Sequence, residues 1–446
     1  MRLPLRCLGT PIPLVAAAVV SILVLVYATS GSGVPVPDTP PLDGASNCPD
    51  ASTPDAVPTA ARFVDSVGVV THLAYRDTAY GDLELVRSRL AELGVRHIRD
   101  GWPADDMRLN ARARRLARDG VGVTFVHDPR DGGTPAEQHR LVRDNLGDVV
   151  VAAESLNERD TRPGDWVADA VDWTTGLSRA YRSDPRTRDI PLIAPSVSLL
   201  DQEDDHRALG ELRGLLDYGN THDYPGKDLM MDDRILGLVQ RTTRHVVGDV
   251  PPVATETGYS DGQRGAPYEI MSPEAIAVLL PRLLLEHFRG GVERTFLYEL
   301  LDEGPGDGFE ESFGLVAHDG RPKPSFSSLQ ALLALLATGP QRCDQPPLVW
   351  SMEGADRTVR SLLLRGGEGT YYLALWRQVQ VWQGGAPLVV QPLDVTLRVS
   401  NPLVQALAHQ PHLQATATLP VQDGELTVPV AGAVTVVELV VQEAAR

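Results

Sequence analysis

The segment VVVAAESLNERD, residues 149–160, sets the problem. Five apolar residues, Val149 to Ala153, run into Glu154, and Asn157 and Glu158 follow side by side. An unbroken apolar run of this kind is the pattern of a strand buried on both faces, as in a parallel sheet with helices on either side. Nothing structural asks such a strand to end on an amide beside a carboxylate. The groups at its end therefore point to chemistry.

The same rhythm extends from Arg62 to about Leu336. Short β-branched runs (SVGVVTHL, VRHIRD, VGVTFVHD, DVVVAAESLNE, IPLIAPS, GNTHDYP, PPVATETG and ERTFLYEL) alternate with helix-length amphipathic stretches such as LELVRSRLAELG and SPEAIAVLLPRLLLEHFRGG. Several stretches stop at a glycine, as at Gly94, Gly120 and Gly290, a common helix terminator. Alternating strand and helix predicts parallel strands with helices outside. Eight such units predict a (β/α)8 TIM barrel over residues 61–338. An open doubly wound sheet is the competitor, but it carries a glycine-rich phosphate loop after an early strand, and THLAYRDTAYGD is no such loop. After TGPQRCDQPP the texture changes to alternating segments such as TYYLALWRQV and AVTVVELVVQ. These predict an all-β sandwich over residues 345–446. Trp376 and Trp382 share a strand face with Tyr372 if that strand is continuous. The apolar character of both faces favours packing over a sugar platform, and the short proline-rich link predicts docking against the barrel.

The chain has 446 residues, 41 basic against 59 acidic, a net charge of −18. That balance argues against nucleic acid as a partner, since no basic stripe exists to displace counterions from phosphates. The first 30 residues carry Arg2 and Arg6 ahead of an apolar run from about Leu14 to Ala28, which reads as a signal peptide or a retained signal anchor. Either reading expects the rest to be extracellular or membrane-anchored and facing outward. Residues 31–60 are rich in Pro, Gly, Ser, Asp and Ala and form a spacer. Cys48 and Cys343 are the cysteines beyond the leader. In an oxidising compartment they are a candidate disulfide at the bottom of the barrel, the alternative being two free thiols.

Barrel strands deliver function at their C-terminal ends. Here those ends carry His72 and Tyr75; Arg99, Asp100 and Trp102; His127 and Asp128; Asn157 and Glu158; His222, Asp223 and Tyr224; Glu256; and Tyr298 with Glu299. Two carboxylates on strands 4 and 7 face each other across the mouth. Glycoside hydrolysis needs such a pair, one protonated and one ionised. Asn-Glu ending strand 4, His-x-Tyr ending strand 6 and Thr-Glu-Thr-Gly ending strand 7 resemble clan A of the glycoside hydrolases, the retaining TIM-barrel superfamily with cellulase-like and xylosidase-like families. The resemblance covers about Arg62 to Leu336, and FGLVAHDGRPKPSFSSLQALL is similar to the stretch that ends the clan's barrels.

The resemblance implies Glu158 as acid/base and Glu256 as nucleophile. It implies Asn157 against a sugar 2-hydroxyl, Tyr224 orienting Glu256, and Arg99 keeping Glu256 ionised. His72, Trp102, His127, His222 and Tyr298 complete the expected sugar-binding set, with Trp102 and Tyr298 as stacking surfaces. Arg159 stands where many clan members have proline, and Tyr298 where tryptophan is common. The expected partner is an oligo- or polysaccharide bound by a monomer, with no cofactor. His72, His127 and His222 match no compact zinc spacing. The acidic stretch 301–311 lacks EF-hand spacing and reads as a solvated rim loop. Glu154 shares a strand face with Glu158 and reads as a buried carboxylate paired with an arginine such as Arg99. Arg112, Arg114, Arg115 and Arg118 read as a solvated helix face. A non-catalytic carbohydrate-binding protein and a metal-dependent barrel enzyme are the rival functions.

Overall fold

The structure is a computed structural model that describes residues 57–442 apart from 199, 211, 227–229, 338–344 and 346. The N-terminal apolar segment, most of the expected spacer, and Cys48 and Cys343 with their expected disulfide lie outside the described residues. Among the described residues no helix is long and apolar enough to cross a membrane.

Eight short strands build the first domain: β1 (Val67–Val70), β2 (His97–Asp100), β3 (Gly122–Val126), β4 (Val150–Glu154), β5 (Leu192–Ile193), β6 (Gly219–His222), β7 (Pro252–Thr257) and β8 (Thr295–Leu297). They pair in parallel in the order β5-β4-β3-β2-β1-β8-β7-β6. Ile193 bridges Tyr218, just ahead of β6, and so joins the two edges. After the short α1 (Ala60–Asp65), each strand is followed by a helix: α2 (Leu83–Leu93), α3 (Met107–Arg118), α4 (Pro135–Leu146), α5 (Trp166–Ser183), α6 (Glu203–Ala208), α7 (Asp233–Val247), α8 (Pro273–Arg289) and α9 (Pro324–Leu336). This is the expected (β/α)8 barrel. Local signals set the helix ends. Asp82 accepts from the Glu84 and Leu85 amides at the start of α2, and Gly94 ends it in a left-handed turn at φ 77°. Thr134 and Glu137 form a reciprocal cap on α4.

The second domain is the expected sandwich. Its strands are β9 (Trp350–Glu353), β10 (Val359–Arg365), β11 (Thr370–Arg377), the small hairpin β12–β13 (Trp382–Gln383, Ala386–Pro387), β14 (Leu393–Val399), β15 (Leu403–Gln410), β16 (Ala415–Thr418), β17 (Glu425–Val430) and β18 (Thr435–Val441). One sheet runs β10-β11-β18-β15-β16 and the other β17-β14-β9. Strand β11 is buried on both faces, and period-2 alternation divides its side chains. Tyr371, Leu373 and Leu375 face the sandwich core with Val395, Leu397 and Val428. Tyr372, Ala374 and Trp376 join the barrel's own core with Leu283 of α8 and Leu329 of α9. The Trp376 indole N–H donates to Glu286 Oε1 on α8 at 3.0 Å.

Three expectations need correction. Trp382 is not on the strand of Trp376, because β11 ends at Arg377 and Trp382 opens the separate hairpin; both indoles are nonetheless buried. The spacer ends before residue 60: the Pro58 carbonyl accepts from the Arg365 amide at 2.8 Å and Ala60 is fully buried. Arg112 and Arg114 are not simply solvated. Arg112 donates to the Gly81 carbonyl at 3.1 Å and Arg114 to the Asn145 carbonyl, so they tie α3 to its neighbours.

Candidate active site

Strand β4 ends at Glu154, whose side chain turns inward and is fully buried. Arg99 from β2 grips it with two bonds, Nε at 2.5 Å and Nη2 at 2.8 Å. The reading of Glu154 as a buried structural carboxylate is correct. The same guanidinium reaches upward, donating from Nη2 to Asn157 Oδ1 at 2.7 Å and from Nη1 to Glu256 Oε1 at 2.6 Å. One buried cation thus serves two carboxylates and an amide, which offsets the cost of burying it.

Past Glu154 the chain leaves the strand. Glu158 takes a left-handed backbone conformation at φ 42°, uncommon for a residue with a side chain. Neighbours hold it there: its amide donates to Ser196 Oγ at 3.1 Å, and its carbonyl accepts from the Thr161 hydroxyl at 2.8 Å. Its carboxylate meets His222 Nδ1 at 2.7 Å, and Glu256 Oε2 lies 3.7 Å from the same nitrogen. Oxygens of Glu158 and Glu256 and the His222 nitrogen lie within 4.8 Å of one another. Tyr224 donates its hydroxyl to Glu256 Oε2 at 2.9 Å. Burial alone would raise the Glu256 pKa, but the charges of His222 and Arg99 and the Tyr224 hydroxyl overcome it and bring it down to about 2.

The protonation of His222 follows from its neighbours. Asn220 donates through Nδ2 to Glu154 Oε1 at 3.1 Å and to the Ala194 carbonyl at 2.8 Å, so its Oδ1 is left to accept. The Thr255 hydroxyl donates to that Oδ1 at 2.7 Å. Its oxygen therefore accepts from His222 Nε2–H at 3.0 Å. Nδ1 is left facing Glu158, and a single proton sits between imidazole and carboxyl. Burial opposes charging His222, yet Glu256 and Glu158 raise its pKa above the ordinary histidine value.

A cleft of about 750 Å³ opens over the pair, lined among others by His72, Tyr75, Arg99, Asn157, Tyr224, Tyr268, Tyr298, Phe309 and Phe313. Of the sequence-predicted residues, Glu158, Glu256, Asn157, Arg99, Tyr224, His72 and Tyr298 line it together. His222 stands directly beneath the pair. His127 does not belong: it is fully buried, with Nε2 on the Tyr181 hydroxyl at 2.8 Å and Nδ1 on Gln138 at 3.3 Å. It points outward from β3 toward α4 and α5, and burial pushes its pKa down to about 3. Trp102 borders the cleft but offers no open stacking face. It is 1% exposed, its indole N–H donates to Asn110 Oδ1 at 2.9 Å, and its ring stands edge-on to Phe125.

Sequence reasoning missed Thr255, Asn220, Ser196, Tyr268 and the Phe309–Phe313 stretch as parts of the site. Asn220 was readable, since it shares a strand face with His222. Thr255 was hidden by register shifts in the pairing of β7, which bring it and Glu256 into one network despite their adjacency.

A second cluster lies at the ends of β1 and β8. His72 Nε2 is 3.5 Å from Glu299 Oε2 and 3.7 Å from Glu303 Oε1. Tyr80 donates to Glu299 Oε2 at 2.9 Å and Tyr298 to Glu303 Oε1 at 3.3 Å. Burial lowers the His72 pKa to about 4 and raises that of Glu299 to about 9. A neutral imidazole beside a protonated acid needs no cation to balance it. The raised Glu299 pKa has a consequence for stability. Its contribution is complete below the unfolded value of 4.5 and is lost as pH rises through about 9, because the unfolded chain gives up the proton first. Glu299→Gln removes that dependence. In calorimetry its Tm should exceed the wild-type value at about pH 8 and the gap should shrink toward about pH 5. Parallel pH curves for the two proteins would contradict the assignment.

No protein-family model matches the chain, and no curated protein does. Solved structures do. A family 39 glycoside hydrolase from Bacteroides cellulosilyticus WH2 aligns at 14% identity and TM-score 0.60, over 87% of this chain and 83% of that one. A GH39 enzyme from Xanthomonas axonopodis pv. citri aligns at 15% identity and TM-score 0.54, over 87% and 96%. A monomeric beta-xylosidase from Caulobacter crescentus CB15 aligns at 14% and 0.55, over 87% and 98%. The chain is thus similar in fold to these structures. At these identities the likeness is one of fold.

Proposed function

We propose that the protein is an exported, retaining glycoside hydrolase acting on neutral glycosides, with Glu256 as nucleophile and Glu158 as acid/base. The observation that carries this reading is the pair itself. Two carboxylates share one histidine nitrogen and approach within 4.8 Å. Retaining enzymes hold their carboxyl groups about 5–5.5 Å apart, whereas inverting ones leave room for a water between them. Glu256, held ionised by Arg99 and Tyr224, attacks the anomeric carbon. The glycosidic C–O bond breaks as the leaving oxygen takes the proton held at Glu158. Water then gives a proton back to Glu158 and displaces Glu256, restoring both groups. A protein that only bound sugar would have no use for an ionised Glu256 held beside a second carboxyl group across the cleft.

Charge supports the substrate class. Both guanidiniums among the described lining residues are engaged, Arg99 as above and Arg130 by Asp128 at 2.8 Å. Asp131 and Glu310 add negative charge to the same walls. A uronic acid would find repulsion there rather than a counter-ion. Export rests on the N-terminal charged and apolar segment. The test is a panel of 4-nitrophenyl β-D-xyloside, β-D-glucoside and β-D-glucuronide. A neutral member should be cleaved with a kcat/KM at least about tenfold above the glucuronide. No turnover of any member, or preference for the glucuronide, would contradict the reading.

A further inference from the structure

Tyr268, an aromatic residue of the cleft wall, lies on the β7–α8 loop far from any strand end. Its loop is fixed at two points. On the barrel side, the Gln263 and Arg264 amides donate to the Asp307 carbonyl at 2.7 and 2.9 Å, and the Phe309 amide donates to the Arg264 carbonyl at 2.9 Å. On the other side the anchor comes from the second domain. The Trp382 indole N–H donates to the Ile270 carbonyl at 2.9 Å, and the Gly385 amide donates to Glu269 Oε1 at 2.7 Å. Both donors belong to the sandwich hairpin β12–β13. The hairpin's approach is itself held by Arg282 of α8, which donates to the Val379 carbonyl at 3.0 Å and the Gly432 carbonyl at 3.2 Å. Tyr268 lies between the two anchors. Its ring stands edge-on to Phe309 at 5.1 Å, Phe309 to Phe313 at 5.0 Å, and Phe313 to Tyr298 at 5.5 Å and Tyr224 at 5.6 Å. An aromatic row thus runs from the hairpin's anchor to the tyrosine that orients Glu256.

We propose that the β12–β13 hairpin positions Tyr268, and that Tyr268 forms an outer sugar contact which separates oligosaccharides from short glycosides. Trp382 and Glu269 are positioning residues that act through the loop; Tyr268 touches the substrate. The sandwich on this account does more than cover apolar helix surface, since one of its turns shapes the cleft. Aromatic faces suit the apolar face of a sugar ring, and a loop held at both ends presents such a face with little entropy left to lose.

The test uses the full-length chain and rests on the glycosidase reading only in its kinetic arm. Trp382→Phe keeps an aromatic ring and removes the N–H. Glu269→Ala removes the second anchor at a partly exposed position. Both, like Tyr268→Ala, should raise KM for xylotriose or cellotriose about 3- to 10-fold, the range an aromatic contact of this kind commands. For Trp382→Phe and Glu269→Ala, which do not line the cleft, kcat, and KM for the matching 4-nitrophenyl monosaccharide, should stay within about twofold. Tyr268→Ala combined with Trp382→Phe should be no worse than Tyr268→Ala alone, because both act through one ring. The second arm is spectroscopic. In protein labelled with 3-fluorotyrosine, the Tyr268 resonance, assigned by its loss in Tyr268→Phe, should shift or broaden in Trp382→Phe. That signal is read whether or not any glycoside is turned over. An unmoved Tyr268 resonance overturns the positioning role, and additive KM effects or equal losses on long and short substrates overturn the outer contact.

Discussion

Glu256→Gln is expected to lower kcat by about 10⁴-fold or more while the protein stays folded. The amide cannot form the covalent glycosyl intermediate. It can still accept from Arg99 and face the Tyr224 hydroxyl, so the site's hydrogen bonds survive the change. Arg99 keeps Glu154 as a counter-charge, and no buried cation is left alone. Glu158→Ala should behave differently. Substrates with good leaving groups need little protonation, so their hydrolysis should fall far less than that of substrates with poor ones. Added azide should restore turnover by displacing the glycosyl group from Glu256. Steady-state kinetics on 4-nitrophenyl and alkyl glycosides separate the two variants. A Glu256→Gln enzyme retaining a tenth of wild-type activity would remove Glu256 from its role.

The second large effect concerns the domains. A chain ending at Leu336 is expected to be insoluble or unfolded. Trp376, Tyr372 and Trp382 belong to the barrel's own core, and their removal bares the outer face of α8. The loss is not only apolar. Arg282 is buried and donates to two carbonyls of the second domain; Glu286 is fully buried and accepts from Trp376. The shortened chain loses these bonds and exposes the apolar surface of α8 and α9 to water, against a total domain stability of only about 5–15 kcal/mol. Expression yield and circular dichroism of the shortened chain measure this. A soluble barrel with the wild-type Tm would show that the sandwich only rides on it.

Much of this was legible in the sequence, for physical reasons that can be named. The barrel was readable because strands buried on both faces must be apolar throughout, as in β4, and because caps such as Asp82 and Gly94 mark where helices begin and end. The pair was readable because the ends of barrel strands share one rim, so Glu158 and Glu256 had to face each other. Residues whose roles depend on side-chain direction were less legible. His127 also follows a strand, yet it turns outward, where Tyr181 and Gln138 satisfy both its nitrogens. Trp102 similarly spends its N–H on Asn110 and its face on packing. Contributions from loops far along the chain left no local trace. Tyr268 sits in DGQRGAPYEIMS, which carries no periodic signal, and its second anchor lies more than a hundred residues later.

In a retaining mechanism Glu256 bonds covalently to the sugar during turnover. The direct measurement is mass spectrometry of the enzyme after incubation with a 2-deoxy-2-fluoro glycosyl fluoride of whichever neutral sugar it cleaves. The fluorine slows release of the intermediate, so it should accumulate. One added 2-fluoroglycosyl mass is expected, carried by the peptide containing Glu256 and absent from Glu256→Gln. No adduct on an enzyme that hydrolyses the parent glycoside, or an adduct on another residue, would contradict it.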